Sequence, residues 1–162
     1  MKLWIMAFAF VLLQSCSTAP EKKSIKLGHH LKDGSVAYGD ITDVWFVDNY
    51  DGDTIKVNIP GVHPLLGANI TVRVYGVDAP EIRTKNKCEK QKAIEAKELV
   101  KSILVKAKHI TLKEVQRGKY FRILAKVYAD DVDISQQLIE HKLAYPYYGD
   151  TKRKVDWCIG LQ

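Results

Sequence analysis

Apolar and polar residues alternate along three stretches of the chain, residues 54–59, 70–75 and 122–128, and this alternation predicts strands. Each stretch places its apolar side chains on one face of the backbone, which is typical of a strand with one buried side. Residues 43–49 and 109–115 are also strand-like. The sequence therefore predicts five short strands.

Two other stretches change to the helical period. Between residues 89 and 108, apolar residues recur at helical spacing and predict an amphipathic helix that packs on the sheet, with its charged residues on a solvated face. Asp133 can cap a second helix that runs through His141. One helix after the third strand and one after the fifth indicate a small β-barrel or an α+β domain. The OB-fold is such a barrel.

The first residues have the pattern of an export signal. Lys2 precedes an almost entirely apolar run, which is typical of a secretory signal peptide over residues 1–15. The run Leu13-Gln14-Ser15-Cys16 also resembles the lipobox of bacterial lipoproteins, in which the cysteine becomes the lipidated first residue. The pattern predicts an exported protein. It is either a lipoprotein anchored through Cys16 to a membrane, on its periplasmic or cell-surface side, or a secreted protein.

The remaining chain divides into a tether and a domain. Residues 16–40 contain glycines and lysines with few apolar residues and are interpreted as a tether, and residues 41–162 as the folded domain. Two cysteines remain there, Cys88 and Cys158. An oxidising compartment favours a disulfide between them, and two unpaired buried thiols are the alternative.

The charge balance suggests the kind of partner. The chain has 25 Lys and Arg against 19 Asp and Glu, which gives a formal net charge of +6. An excess of positive charge favours polyanions such as nucleic acid, although a merely basic soluble surface has the same balance. The 27% charged fraction argues against a membrane-embedded body.

Charged side chains gather at the predicted strand ends. They lie in Asp51-Gly52-Asp53-Thr54, in the run from Arg73 to Glu81, and at Arg122. Buried carboxylates need a partner, and a hard cation such as Ca²⁺ or Mg²⁺ binds oxygen ligands of this kind. Arginines beside such a cation suit a phosphate. The pattern predicts a metal-dependent phosphodiesterase, and a surface salt-bridge cluster is the alternative.

The same residues resemble those of a known family. Asp-Gly-Asp-Thr, then Arg-x-x-x-Val-Asp-x-Pro-Glu, then Lys-Tyr-x-Arg follow the order and separations of the staphylococcal (micrococcal) nuclease family. The likeness extends from about Val44 to Tyr148. It implies an α+β, mainly β fold, a five-stranded OB-fold barrel with two to three helices packed on it. It also implies a nuclease that uses one Ca²⁺ ion.

The resemblance assigns roles position by position. Asp53, Asp78 and the carbonyl of Ala79 would bind the Ca²⁺, and Glu81 would hold the attacking water. The scissile phosphate would be gripped by two arginines, Arg73 and Arg122. Nucleotide contacts are expected from the tyrosines Tyr120, Tyr145 and Tyr147.

Two positions depart from the family pattern. Ala79 stands where threonine is usual, so a carbonyl ligand survives and any hydroxyl contact is lost. Phe121 stands where glycine is common before the arginine, which affects the local turn and the placement of Arg122.

The expected function is calcium-dependent hydrolysis of phosphodiester bonds in DNA, with RNA as a further substrate, and no obligate protein partner is predicted. Two alternatives stay open at this point. One is a catalytically silent OB-fold lipoprotein that binds nucleic acid. The other is a structural lipoprotein whose barrel binds a protein.

Overall fold

The computed structural model describes residues 28–31, 36–118 and 122–159. Their strands are β1 (His29–His30), β2 (Val36–Ala37), β3 (Trp45–Asn49), β4 (Thr54–Asn58), β5 (Ile70–Val74), β6 (Gly76–Asp78), β7 (Ile110–Arg117), β8 (Ile123–Ala129), β9 (Val132–Asp133) and β10 (Tyr145–Tyr147). The helices are α1 (Pro64–Gly67), α2 (Lys87–Leu104) and α3 (Ile134–Glu140). The predicted signal peptide, Cys16 and Tyr120 lie outside the described residues.

The main sheet runs in the order β1-β2-β7-β8-β5-β4-β3, with β9 added to β8, and β6 and β10 form a separate pair. The five predicted strands correspond to β3, β4, β5, β7 and β8. Their pairings are antiparallel except that of β5 with β8, which is parallel. The parallel pair follows from the long connection through β6, α2 and β7.

The chain just before β3 brings the two ends of this sheet together. Ile41 pairs with Leu112 of β7, and the Val44 N–H donates to the Ile110 carbonyl at 3.1 Å. Since β7 lies on the far side of β8 from β3, these bonds close the five strands into a barrel. The predicted α+β, mainly β OB-fold with two to three helices is confirmed.

The barrel interior is filled by the apolar rows that the alternation predicts. Their buried members are Ile55, Val57, Val72, Val74, Ala125 and Val127. Both larger helices cover the core with one stripe each, from Ala96, Val100 and Leu104 on α2 and from Ile134 and Leu138 on α3. Burial of these stripes supplies the main driving force for packing the helices on the barrel.

Both larger helices begin at a side-chain cap. The Asn86 carboxamide oxygen accepts the Cys88 and Glu89 N–H groups at the start of α2, and Asp133 caps α3 as the sequence predicts. Helix α2 ends four residues before the predicted end at 108. There the Asp130 carboxylate accepts the N–H groups of Lys108 and His109, which stabilises a turn into β7 in place of a further helical turn.

The sheet also reaches back into the stretch predicted as a tether. Ala37 pairs with Gln116 of β7 and is completely buried, and the Tyr38 N–H donates to the Val115 carbonyl at 2.7 Å. Ordered contacts therefore begin before residue 41. Within the described ranges, no helix is both long and apolar enough to cross a bilayer.

A disulfide joins Cys88, at the start of α2, to Cys158, with a Cα–Cα distance of 5.1 Å. The predicted pairing is confirmed. The bond ties the C-terminal segment to the helix, 70 residues away along the chain.

Candidate active site

The turn between β3 and β4 holds the first acidic pair. The Asn49 side-chain amide donates to the carbonyls of Asp51 at 3.0 Å and Lys97 at 2.9 Å, which fixes the turn against α2. Inside the turn, the Asp53 N–H donates to Asp51 Oδ1 at 3.1 Å. Gly52 lies so close to α2 that an added Cβ would be 2.7 Å from the Ala96 Cβ. The turn therefore presents Asp53 from a fixed and buried position.

Arg73 joins the two predicted metal-binding carboxylates. It lies opposite Thr54 in the β4–β5 pair, so its side chain meets the end of the acidic turn. One guanidinium nitrogen, Nη1, is paired with Asp53 Oδ1, and the other, Nη2, is 2.6 Å from Asp78 Oδ1. Arg73 is thus part of a polar site, away from the apolar row of its own strand, as the alternation predicts.

Asp53 is almost inaccessible to water, with 1% of its surface exposed. Burial raises the pKa of this carboxyl to about 8, although Arg73 and the Ala79 N–H, which donates to Oδ2 at 2.7 Å, favour the charged form. This pKa includes the effect of the neighbouring carboxylates of Asp51 and Asp78, which also act to raise it. An additional cation at this place would favour the ionised carboxylate.

Asp78 is surrounded by donors. Tyr145 donates its hydroxyl to Oδ2 at 2.7 Å, and Lys152 Nζ lies 2.8 Å from Oδ1. Burial of Asp78 acts to raise its pKa, but the hydrogen bonds from Lys152, Tyr145 and Arg73 outweigh it and hold the pKa below the usual range. Burial and the nearby Asp78 raise the pKa of Tyr145, so this phenol stays a donor.

A cleft of about 360 Å³ opens beside this cluster. All three residues predicted to be catalytic, Arg73, Glu81 and Arg122, line it together with Tyr147. Arg122 reaches the cleft from the β7–β8 hairpin, which is closed by a hydrogen bond from the Gly118 N–H to the Arg122 carbonyl at 2.8 Å. Two arginines and a carboxylate therefore face one space large enough for a nucleotide-sized group.

The donor set fits a hard cation. In the described part of the chain, no three His, Cys, Asp or Glu side chains are grouped as a ready-made metal site. The predicted ligands comprise two carboxylates, Asp53 and Asp78, both within reach of one guanidinium, with the Ala79 backbone beside Asp53. All are oxygen donors. Burial disfavours the charged form of Asp53 even with Arg73 beside it, so a further cation would stabilise the carboxylate. The residues present therefore fit Ca²⁺.

Several residues of the site were not predicted from the sequence. Tyr75, Tyr148 and Lys152 line the same cleft, and the rings of Tyr75 and Tyr148 meet edge to face at 5.7 Å between centroids. A polar residue at the end of a strand was the available signal for Asn49. Lys152 lies in a segment with neighbouring basic residues, and no spacing distinguishes it from them.

Comparison with known proteins places the chain in a family. Residues 71–157, more than half of the chain, match the family described as staphylococcal nuclease homologue. The chain belongs to this family. The match to the staphylococcal nuclease homologue family includes Arg73, Asp78, Glu81 and Arg122, while Asp53 lies before the matched range.

Two Bacillus subtilis (strain 168) proteins are similar to this family member. The SPbeta prophage-derived endonuclease YokF is 34% identical over 121 residues, which cover 70% of this chain and 38% of YokF. The endonuclease YncB is 36% identical over 109 residues, covering 63% of this chain and 48% of YncB. The chain therefore matches less than half the length of each of these relatives.

Proposed function

We propose that this protein is a calcium-dependent endonuclease that hydrolyses phosphodiester bonds of DNA, with RNA as a further substrate. The observation that carries the proposal is the shared cleft of Arg73, Glu81 and Arg122 beside the Asp53 and Asp78 carboxylates. Membership of the nuclease family and the similarity to two proteins named endonucleases support it.

In this proposal Asp53, Asp78 and the carbonyl of Ala79 hold one Ca²⁺ ion. When bound, the ion supplies Lewis-acid stabilisation of the negative charge that develops on the phosphate oxygens. The burial of Asp53 and the hydrogen bond that it accepts from the Ala79 N–H keep both residues at fixed positions. A ligand that is already in place needs no reorganisation during the reaction.

The two arginines bind the phosphate. A guanidinium presents five N–H donors in a plane, and the carboxylates use only some of those on Arg73. Its remaining donors and those of Arg122 are available to the phosphate oxygens in the cleft. Because charge on these oxygens increases in the transition state, the arginines stabilise that state more than the ground state.

Glu81 activates the water. Its side chain is half exposed in the cleft, so water reaches it freely. Glu81 orients a water molecule and accepts its proton as the new bond to phosphorus forms and the ester P–O bond breaks, and the leaving oxygen takes a proton from solvent and departs as an alcohol. General-base assistance of this kind contributes about 10²- to 10⁴-fold.

The aromatic side chains favour unpaired substrate. Tyr148, which is exposed, and Tyr75 and Tyr147, which are half-buried, line the cleft, and aromatic rings that face such a groove accept unstacked bases irrespective of sequence. Tyr145 is buried and donates its hydroxyl to Asp78, so in this proposal it holds the Asp78 carboxylate in position. Single-stranded or frayed nucleic acid is therefore the proposed substrate form.

The proposed location follows from the N-terminal pattern. Residues 1–15 act as a signal peptide, and the stretch predicted as a tether, residues 16–40, connects a lipidated Cys16 to the domain and contributes Ala37 to its sheet, so the domain lies outside the cytoplasm. The confirmed disulfide supports export, because such bonds persist where the environment is oxidising. Membrane fractionation of cells that express wild type or Cys16→Ala tests this location: release of the variant from the membrane is expected, and an unchanged distribution contradicts anchoring.

The function is tested with a soluble form that begins after Cys16, with its disulfide formed, on labelled single-stranded DNA. Cleavage is compared in calcium, magnesium and a chelator, and Asp53→Ala controls for contaminating nuclease. Calcium-dependent cleavage that is lost in Asp53→Ala supports the proposal. Absence of cleavage together with salt-sensitive binding would instead identify a silent nucleic-acid-binding barrel.

A further inference from the structure

The segment after β10, residues 148–158, lies along the edge of the site and is called the tail below. At one end, Tyr148 and Gly149 line the cleft. At the other end, Trp157 is buried with its ring 6.5 Å from that of Tyr145, and Cys158 is bonded to Cys88 on α2. The tail is therefore fixed at both ends on either side of the predicted carboxylate ligands.

Lys152 lies in the middle of the tail and points into the site. Its Nζ atom is 2.8 Å from Asp78 Oδ1 and 3.8 Å from Glu81 Oε1. The residue borders both the main cleft and a second cavity of about 180 Å³, which is lined by Asp78, Ala79 and Glu81 among others. One ammonium group thus lies between a predicted metal ligand and the predicted base.

The contact matters because it occupies one of the two oxygens through which Asp78 would bind a metal, while the other accepts the Tyr145 hydroxyl. Asp78 Oδ1 already receives Arg73 Nη2 at 2.6 Å, and Lys152 adds a second positive charge on the same atom. A divalent cation that binds Asp78 meets this charge at close range, and like charges repel most strongly where solvent is partly excluded. Metal binding and the Lys152–Asp78 contact are therefore in competition.

We propose that Lys152 is a built-in counter-ion that competes with Ca²⁺ for Asp78 and so lowers the calcium affinity of the site. The tail holds the lysine there, and the Cys88–Cys158 bond holds the tail. The inference rests on the proposed function in one respect, that Asp78 is a ligand of the metal. Calcium affinity is tuned by the charge count and rigidity of the ligands, and both are altered by this contact.

The test measures Ca²⁺ binding by calorimetry in the absence of nucleic acid, with the disulfide-bonded protein. Lys152→Gln is expected to bind Ca²⁺ about two- to fivefold more tightly, the range set by a partly exposed ion pair. Lys154→Gln is the matched control, since it removes the same charge from an exposed position two residues along the tail and should leave the affinity unchanged. Lys152→Arg keeps the charge and is expected to stay close to wild type.

A second comparison tests the role of the tail. Cys88→Ser/Cys158→Ser removes the covalent anchor at its far end and leaves only the packing of Trp157 there, so calcium affinity should rise in the same direction as in Lys152→Gln. Adding Lys152→Gln to the double serine variant should then raise calcium affinity by less than the sum of the two separate gains in binding free energy, because both changes act through one contact. Circular dichroism checks that each variant is folded. If the serine variant does not fold, Lys152→Gln in the disulfide-bonded protein decides the question.

The outcomes separate this inference from the proposed function. Wild-type protein that binds Ca²⁺ with the same affinity as Lys152→Gln overturns the role of Lys152 and leaves the nuclease proposal in place. Equal gains in Lys152→Gln and Lys154→Gln also overturn it, because they indicate a general charge effect. Wild type and variants that all fail to bind Ca²⁺ contradict the metal site itself, and the inference with it.

Discussion

At the scale of single residues, the site groups charged side chains whose burial would be unfavourable without a partner of opposite charge. Asp53 is buried beside Asp51, and its closest cation is Arg73, which is shared with Asp78. Burial of a carboxylate is tolerated only with compensating charge or by protonation. The ionisation state of Asp53 would therefore link binding of the proposed metal to the stability of the fold.

The stability of the metal-free protein should fall as the pH rises from about 5 to 8. The folded pKa of Asp53 is about 8, whereas the unfolded value is about 4, so between these values the folded state holds a proton that the unfolded state has released. The stabilisation of the folded state that this proton provides is complete below about pH 4, and it is lost as the pH rises through the folded pKa. Scanning calorimetry in chelator should show a falling melting temperature.

Asp53→Asn provides the comparison for this pH dependence. Its amide does not titrate, so the melting temperature of this variant should fall less between pH 5 and 8 than that of wild type. Calcium should reduce the decrease in the melting temperature of wild type, because a cation favours the charged carboxylate. Parallel curves for the two proteins in chelator would contradict the raised pKa.

Turnover should depend strongly on the three residues of the cleft that are predicted to be catalytic. Arg73→Ala, Arg122→Ala and Glu81→Gln are each expected to lower kcat by at least about a hundredfold, the usual loss on removing a transition-state donor or a general base. Steady-state cleavage of single-stranded DNA at saturating calcium measures this, with Glu98→Gln on the exposed face of α2 as control. Activity within threefold of wild type would remove that residue from its proposed role.

At the scale of elements, the acidic turn depends on its contact with helix α2. Asn49 bonds to the carbonyl of Lys97 on the helix, and Gly52 packs against Ala96. The position of Asp53 is thus set by a strand, a turn and a helix together, so that packing far from the cleft can move a site residue.

Gly52→Ala should therefore destabilise the protein by about 1–3 kcal/mol, the usual range for overpacking a filled site. The new Cβ would be 2.7 Å from the Ala96 Cβ and 3.2 Å from the Ala79 Cβ. Chemical denaturation of the single variants and of Gly52→Ala/Ala96→Gly measures the coupling. The double variant should recover part of the loss, and strictly additive effects would show that the two positions do not clash.

The sequence predicts the elements where one local pattern decides them. Alternation places Ile55 and Val72 inside the barrel, and Asp133 caps α3, since each of these depends on near neighbours in the chain. Strands β1 and β2 are missed because each has only two residues and depends on pairing with another strand, β1 with β2 and β2 with the distant β7. The end of α2 is misplaced because Asp130, 22 residues from Lys108, stabilises the turn there.

The same distinction holds within the site. Asp53, Arg73 and Glu81 lie in compact motifs that resemble those of the family, so their place in the site can be predicted from the sequence. Lys152 is brought to Asp78 by the path of the tail, which β10 and the disulfide determine together. A contact of that kind leaves no mark in the local sequence.

At the scale of the whole molecule, the disulfide closes a large loop. The bond spans 70 residues, from α2 to the tail. Such a cross-link restricts the unfolded chain far more than the folded one.

Cys88→Ser/Cys158→Ser should accordingly lower the free energy of unfolding by about 2–5 kcal/mol. Urea denaturation of the variant and of wild type, the latter with and without reductant, measures the loss. Reduced wild type should resemble the variant. A loss below 0.5 kcal/mol in both would indicate that the bond contributes little to the fold.

The pairing of Ile41 with Leu112 also governs how the chain reaches this structure. Barrel closure joins positions about seventy residues apart, and the parallel β5–β8 pair joins others about fifty apart, so folding must bring distant parts of the chain together before these contacts form. A chain that ends before β7 has neither partner, and β5 then presents an unpaired edge that invites aggregation. Most of the polypeptide must therefore be available before the barrel can form.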